Sequence, residues 1–299
     1  MTMKPPAHPM TRVGIVAKSN LRAATPHLVD IEAWLSGRGI EAVFETETAR
    51  LMPPAPRRAL ADKSALASTV GVVVVLGGDG TLLGMADCIG EAASGVPILG
   101  VNFGSLGFLT EVTLPELYPS LEAVLEGRAH SEERMLLQST TVRGGRVFAQ
   151  QIALNDAVIT KAARSRMIDL SVSVGDEFVT RVKADGLIIA TPTGSTAYNL
   201  AAGGPIVQPT LDALILTPIA PHTLTNRPVV IPATSVIRVH PNMEERDDVF
   251  VTFDGQEGFK LEAGDEISVC RGELPLMLIR SSTRSYFEVL RTKLKWGER

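Results

Sequence analysis

The sequence holds only two cysteines, Cys88 and Cys270, far apart and outside any CxxC spacing. Neither a disulfide framework nor a thiolate or Cys/His metal cluster is expected, and a reducing, cytoplasmic setting fits. An excess of charge of one sign is also lacking: the net charge is −4 over 299 residues. A global basic face is absent, so no nucleic-acid partner is expected. The locally basic end "RTKLKWGER" reads as a solvated helix terminus. Long hydrophobic runs are missing too. The longest, such as "VVVVL" at 72–76, are strand-sized and too short to cross a bilayer. The opening "MTMKPPAHPM" has no apolar core of a secretory signal. No internal repeat or low-complexity segment is evident. The expectation is a soluble cytoplasmic protein with no membrane association. At 45% hydrophobic residues the chain can bury one large core or two smaller ones.

The first third alternates strand and helix patterns. "RVGIVAKS" (12–19) reads as a buried strand, and Leu28, Ile31, Trp34 and Leu35 then recur at helical spacing until Gly37 and Gly39. "EAVFET" reads as a second strand, "MPPAPRR" as an exposed connector and "VGVVVVL" as a third strand. Leu82, Met85, Ala86, Ile89 and Ala93 line a helix face, "PILGVN" is a strand, and Leu117, Leu121, Val124 and Leu125 mark a helix ending before Gly127. This alternation predicts a parallel sheet covered on both faces. After about residue 130 the pattern changes. "MLLQSTTVRGGRVFAQQIALNDAVITK" reads as two strands joined at Gly144-Gly145, and "MIDLSVSVGDEFVTRV" alternates around Gly175-Asp176. "PVVIP", "SVIRVH", "VFVTFDGQ" and "DEISVCRG" follow as short strands. The fold class is therefore an α/β N-terminal domain with a parallel sheet, residues 1–128, plus a β-rich, sandwich-like C-terminal domain, residues 129–280. The helical tail, 281–299, is expected to return to the first domain. One helix is expected inside the β-rich domain, starting near Ser195.

Three stretches carry chemistry. In "GGDGT" (77–81) the glycines Gly77, Gly78 and Gly80 let the chain turn sharply and expose backbone N–H groups, with Thr81 opening a helix whose positive end faces the same spot. This reads as a phosphate loop at the carboxyl end of a parallel strand. The run also reads as a tight strand-to-helix turn capped by Asp79 or Thr81; otherwise Asp79 handles the proton of an attacking hydroxyl or holds a cation. Neither the Walker nor the Rossmann spacing is met, since Thr81-Leu82 follows Gly80 and Leu83 stands where a third glycine is required. In "TPTGSTAYNLAAGGP" (191–205) a strand ends at Pro192, and Thr193, Gly194, Ser195 and Thr196 form a polar turn, read either as a helix cap or as a ligand-binding turn. There is no G-x-S-x-G elbow. In "ALNDAVIT" the pair Asn155-Asp156 interrupts an apolar run, as a turn or as a hydrogen-bonding pair for vicinal ribose hydroxyls. His222, in a Pro-rich loop, and Cys88, on a helix, read as structural.

Taken together these stretches resemble the NAD kinase family, whose signature elements are a GGDGT loop, an Asn-Glu pair and a TPTGSTAY…GGP segment, in this order. "PHTLTNRPVVIP" and "FDGQ" (253–256) are similar to further family segments, and the resemblance runs from about residue 12 to 280. It implies two domains with the active site between them, and transfer of the ATP γ-phosphoryl group to the 2′-hydroxyl of the adenosine ribose of NAD, giving NADP. It implies Asp79 as the catalytic proton acceptor. As NAD-binding residues it implies Asp79, Gly80, Asn155, Asp156, Arg166, Lys183, Asp185, Thr193, Thr196, Ala197, Tyr198, Asn199, Ala220 and Gln256. Asp156 is one methylene shorter than the family's usual Glu. The implied partners are NAD and ATP, with a divalent cation, Mg²⁺, as cofactor, its protein ligands not readable. The implied assembly is a homodimer or homotetramer whose sites borrow residues across the interface. A GGDGT-type lipid or small-molecule kinase, and a non-catalytic NAD(P)-binding regulator, remain as alternatives. The lipid kinases would not need the 191–205 segment.

Overall fold

The computed structural model describes residues 10–162, 166–223, 225–243, 248–256 and 258–297. They form two compact units. One holds the described residues up to Glu133 together with those from Leu276 onward; the other is Arg134–Pro275.

In the first unit an eight-stranded sheet runs Ala59–Ala61, Glu41–Glu45, Arg12–Ala17, Val72–Gly77, Ile98–Asn102, Leu276–Ile279, Ser131–Arg134, with Val112–Thr113 paired to Ile98–Asn102 off this path. The pairings of its first six strands are parallel. The central strands are buried end to end, as "VVVVLG" at 72–77 shows, because helices cover both faces. Helix Thr25–Ser36 buries Leu28, Ile31 and Leu35, and helix Asp79–Glu91 buries Leu82, Leu83, Met85, Ala86 and Ile89. Ala93 lies beyond that helix, exposed and at φ 46°, and not on its apolar face. In helix Leu117–Leu125, Leu117, Leu121 and Val124 are buried, while Leu125 is only half-buried.

The Pro-rich connector leads into two elements the periodicity did not show, strand Ala59–Ala61 and helix Lys63–Thr69, the helix capped by the Asp62 carboxylate on Ala65 N–H (2.7 Å). Arg58 anchors the connector by a two-pronged pair with Glu32 (2.9 and 2.8 Å). The chain's return places strand Leu276–Ile279 beside Ile98–Asn102, and helix Tyr286–Leu294 follows, started by a Ser285/Glu288 capping box.

The second unit contains two six-stranded antiparallel sheets among its described residues. One runs Val229–Pro232, Ala213–Ile219, Gly186–Ala190, Asp156–Lys161, Val249–Phe253, Gly258–Lys260. The other runs Glu177–Ala184, Ile168–Val174, Ile237–Pro241, Glu266–Arg271, Leu137–Arg143, Arg146–Ala153. Alternating residues of both, among them Leu170, Val172, Leu187, Ile189, Leu214, Val239 and Val251, form one core, which is how a sandwich buries its inner faces. The Gly144-Gly145 turn joins Leu137–Arg143 to Arg146–Ala153 as expected. Asn155-Asp156 does not interrupt the second strand of that hairpin. It lies where the chain leaves one sheet after Ala153 and starts a third strand, Asp156–Lys161, in the other. The helix expected near Ser195 is reduced to a 3₁₀ turn, Thr193–Thr196, and a single α-turn, Tyr198–Ala201.

Candidate active site

In the first unit the strand order reverses between Arg12–Ala17 and Val72–Gly77, because the chain runs outward to Ala59–Ala61 and then comes back to the other side. Ligands of open α/β sheets bind beyond the carboxyl ends of the strands at such a point. Lys18 leaves one of these strands and Gly77-Gly78-Asp79 leaves the other; Lys18 N–H still donates to Leu76 O (2.9 Å). Gly77, Gly78 and Gly80 do not turn the chain by positive φ: Gly78 is extended (φ −120°, ψ −176°), and none of the three is among the left-handed glycines. A Cβ at Gly78 or Gly80 would meet nothing within 4 Å. What their lack of a side chain leaves is open space above the start of helix Asp79–Glu91, whose first N–H groups have no carbonyl within the helix to bond.

Asp79 does not cap this helix. Gly78 holds the cap position, and Asp79 follows at the first helical residue. Its carboxylate instead collects the loop at 107–110. Oδ1 accepts from Leu109 N–H (3.1 Å), Thr110 N–H (3.0 Å) and the Thr110 hydroxyl (2.8 Å), and Oδ2 accepts from Phe108 N–H (2.8 Å). Asn102 braces the same loop, donating to Ser105 O (2.9 Å) and Thr110 Oγ1 (3.0 Å) while accepting from Gly104 N–H (2.6 Å). Gly107 must be glycine here, because a Cβ would stand 2.0 Å from Asp79 Oδ1. Sequence reasoning did not find this loop. The signal was present as the glycine- and amide-bearing run "NFGSLGFLT" after a buried strand.

In the second unit, strand pairing brings together Asn155-Asp156, the 191–199 turn and the 254–256 turn, since Asp156 sits opposite Ala190 and Ala157 opposite Phe253. Thr191 knits them, its N–H donating to Asn155 O (2.9 Å), its hydroxyl donating to Leu154 O (2.6 Å) and accepting from Gly194 N–H (3.0 Å). The approach is so close that a Cβ on Gly194 would lie 2.0 Å from Asn155 O. Thr193 is buried, Thr196 and Ala197 are half-buried, and Tyr198 is 46% exposed. Gln256 is exposed at the end of its turn. Asn199 is fully buried and its amide is used internally, donating to Ser195 O and Pro205 O (both 3.0 Å) and accepting from Thr217 (2.6 Å). It shapes the segment from within.

Asp156 is 3% exposed. Burial, and then the neighbouring Asp254 carboxylate, push its carboxyl up to about 7. Asp254 is pushed up as well by burial, against three backbone N–H groups that favour its charged form.

Lys183, Asp185 and Ala220 gather at the opposite end of the same strand. Asp185 precedes strand Gly186–Ala190, its N–H donates to Ile219 O (2.9 Å), and its carboxylate pairs with Lys161 (3.1 Å). The Lys183 carbonyl accepts from His222 N–H (2.9 Å), and Ala220 holds a left-handed φ of 45°. At about 3.3 Å per residue, Asp185 and Thr191 are roughly 20 Å apart. The sandwich therefore carries two clusters. Arg166 stands exposed before strand Ile168–Val174. Among the described residues there is no group of three His, Cys, Asp or Glu side chains arranged to hold a metal, and no helix long and apolar enough to cross a membrane.

Residues 13–129 match the profile of the ATP-NAD kinase N-terminal domain, and residues 154–281 match that of the C-terminal domain. Fold and site together thus define a two-unit phosphotransferase with a glycine-flanked aspartate in one unit and a polar sandwich end in the other. Over 290 residues the chain is 48% identical to the NAD kinase of Syntrophotalea carbinolica and 46% identical to that of Geobacter sp. strain M21, in each case covering 97% of this chain and all of the relative. The chain belongs to the NAD kinase family. Among solved structures it is similar to yeast NADH kinase complexed with NADH (TM-score 0.88, 26% identity, covering 98% of this chain and 90% of the other). It is also similar to an NAD kinase from Archaeoglobus fulgidus in complex with ATP (TM-score 0.73, 26% identity, covering 94% and 99%).

Proposed function

We propose that this chain transfers the γ-phosphoryl group of MgATP to the 2′-hydroxyl of the adenosine ribose of NAD, giving NADP and ADP. The observation that carries this reading is the Asp79 carboxylate, fixed at the start of a helix beside open glycine positions at the sheet's switch point. Its lone pairs are unequally used. Oδ1 takes three donors and Oδ2 one, so Oδ2 keeps room for one more hydrogen. There it accepts the ribose hydroxyl proton as the new oxygen–phosphorus bond forms and the bond to the β-phosphate oxygen breaks.

The donor's phosphates lie against the free N–H groups of helix Asp79–Glu91, with Lys18, whose side chain starts beside Gly77, as a cation at the same strand end. Mg²⁺ arrives with ATP and offsets phosphate charge. NAD is held in the second unit by Asn155, Asp156, Thr193, Thr196, Ala197, Tyr198 and Gln256. Lys183, Asp185 and Ala220, roughly 20 Å from that end by strand rise, serve a neighbouring copy in a homodimer or homotetramer. Exposed Phe178 and Val179 on edge strand Glu177–Ala184, and Val229 and Val230 on edge strand Val229–Pro232, suit burial between copies. The setting is the cytoplasm. Incubation of the pure protein with ATP, Mg²⁺ and NAD should yield NADP, and excess chelator should abolish it. Phosphorylation of a lipid headgroup and not of NAD, or NAD binding without turnover, would each overturn the reading.

A further inference from the structure

Asp254 has no place in the reaction as written, yet it organises one end of the sandwich. It ends strand Val249–Phe253 in a left-handed conformation, φ 52°, which costs a side-chain-bearing residue energy unless something holds it there. Three consecutive backbone N–H groups do so. Asp254 Oδ2 accepts from Leu154 (2.7 Å), and Oδ1 accepts from Asn155 (2.7 Å) and Asp156 (3.0 Å). In return, Asp254 N–H donates to Asp156 O (3.0 Å).

These three N–H groups belong to the stretch where the chain crosses from one sheet to the other, and there a ladder partner is lost. A carboxylate with two oxygens aimed along the backbone replaces that partner and fixes the orientation of each peptide plane. The carbonyls on the other side of the same peptides are used as firmly, Leu154 O by the Thr191 hydroxyl and Asn155 O by Thr191 N–H. A rotation of the crossing would therefore carry Thr191 and the Gly194 turn with it.

We infer that Asp254 is a positioning residue for NAD: by clamping the Leu154–Asp156 peptides it sets where the Asn155 and Asp156 side chains and the 193–198 turn meet the nucleotide. This rests on the assignment of those residues to NAD in the preceding section. Asp254 itself touches no reacting atom, so its loss should act on NAD binding and leave the chemical step and ATP binding alone.

Asp254→Asn is the direct variant. Asn tolerates a left-handed φ, but its amide puts N–H where one backbone N–H now finds an oxygen. The expected result is a KM for NAD raised about tenfold or more, as for a lost charge-assisted hydrogen bond, with kcat within about threefold and KM for ATP unchanged. Amide exchange at 154–156 should accelerate in the same variant. An unchanged KM for NAD, or kcat lost in step with thermal stability while KM holds, would overturn the inference. If the variant does not fold, the wild-type protein decides: NAD should slow exchange at 154–156 and ATP alone should not, and absence of that difference refutes the role. If wild-type protein makes no NADP, the functional reading fails by itself. The exchange rates of the variant then still show whether Asp254 clamps the crossing.

Discussion

At the residue scale, the aspartate among the glycines is a node and not a helix cap. Its four hydrogen bonds to the 107–110 loop make its orientation depend on residues the motif does not include. Gly107→Ala leaves the carboxylate chemically intact but drives a methyl group into Oδ1. Since misplacing a catalytic group by about 1 Å can cost about 10²-fold, kcat for this variant should fall by about that factor with the NAD KM little changed. Steady-state kinetics check it, and near-wild-type kcat would show that the loop does not position Asp79. Tyr198, half out in solvent beside the 193–196 turn, should contribute to affinity: Tyr198→Ala should raise the KM for NAD about tenfold, the loss of a packed aromatic contact of ~1–1.5 kcal/mol. A collapsed kcat with unchanged KM would contradict this. Asp156 gives a pH signature. Its folded value, about 7, lies above the unfolded one, so the folded state binds the proton more tightly. Stability from this group is full below about 3.8, is lost progressively as pH rises from there, and is gone above about 7. Asp156→Asn should therefore melt higher than wild type at pH 8.5, and the gap should narrow below about pH 7 and close near pH 4. The GGDGT motif was legible because residue type and spacing sit together in one run. The Asp79 and Asp254 hydrogen bonds were not, because their partners lie 29–31 and 98–100 residues away.

At the element scale, patterns of period two and 3.6 located the alternating units and most sandwich strands. The failures share a cause. Strand Ala59–Ala61 is too short to show a period, and "LMLI" at 276–279 gains its identity only from Ile98–Asn102 alongside it. Asn155-Asp156 read as an interruption, although it is a crossing between sheets made tolerable by a remote carboxylate. The return of the chain end is fastened at Glu116. Burial raises this carboxyl, but Arg284 (2.7 Å), Thr283 and the Thr113 amide and hydroxyl outweigh it and hold it at about 2. Its folded value lies below the unfolded one, so its contribution is full above about 4.5 and is lost as pH falls toward 2. Glu116→Gln should lower the melting temperature by about 2–4 °C per kcal/mol removed, with most of the loss seen at neutral pH. An equal effect at pH 7 and pH 2.5 would contradict the assignment.

At the scale of the whole molecule, composition bounded the class and the order of motifs identified the family. What stayed illegible was which predicted NAD contacts share one place. Asn155 and Tyr198 lie at one end of the sandwich strands and Lys183 and Asp185 at the other, a division that follows from strand register and not from spacing in sequence. If the second cluster serves a neighbouring copy, an Asp79→Asn protein mixed with an Asp185→Ala protein should form mixed oligomers more active than either alone. Activity that merely averages the two would place both clusters in service of a single copy.

The central claim is that Asp79 takes the proton of the NAD ribose hydroxyl. It is tested most directly by kcat for NADP formation in Asp79→Asn, measured beside its melting temperature and NAD affinity. The account predicts a fall of about 10²–10⁴-fold, the range of general-base assistance, with NAD still bound and the fold retained. A loss below about threefold, well short of that range, would contradict it and leave Asp79 as no more than the anchor of its loop.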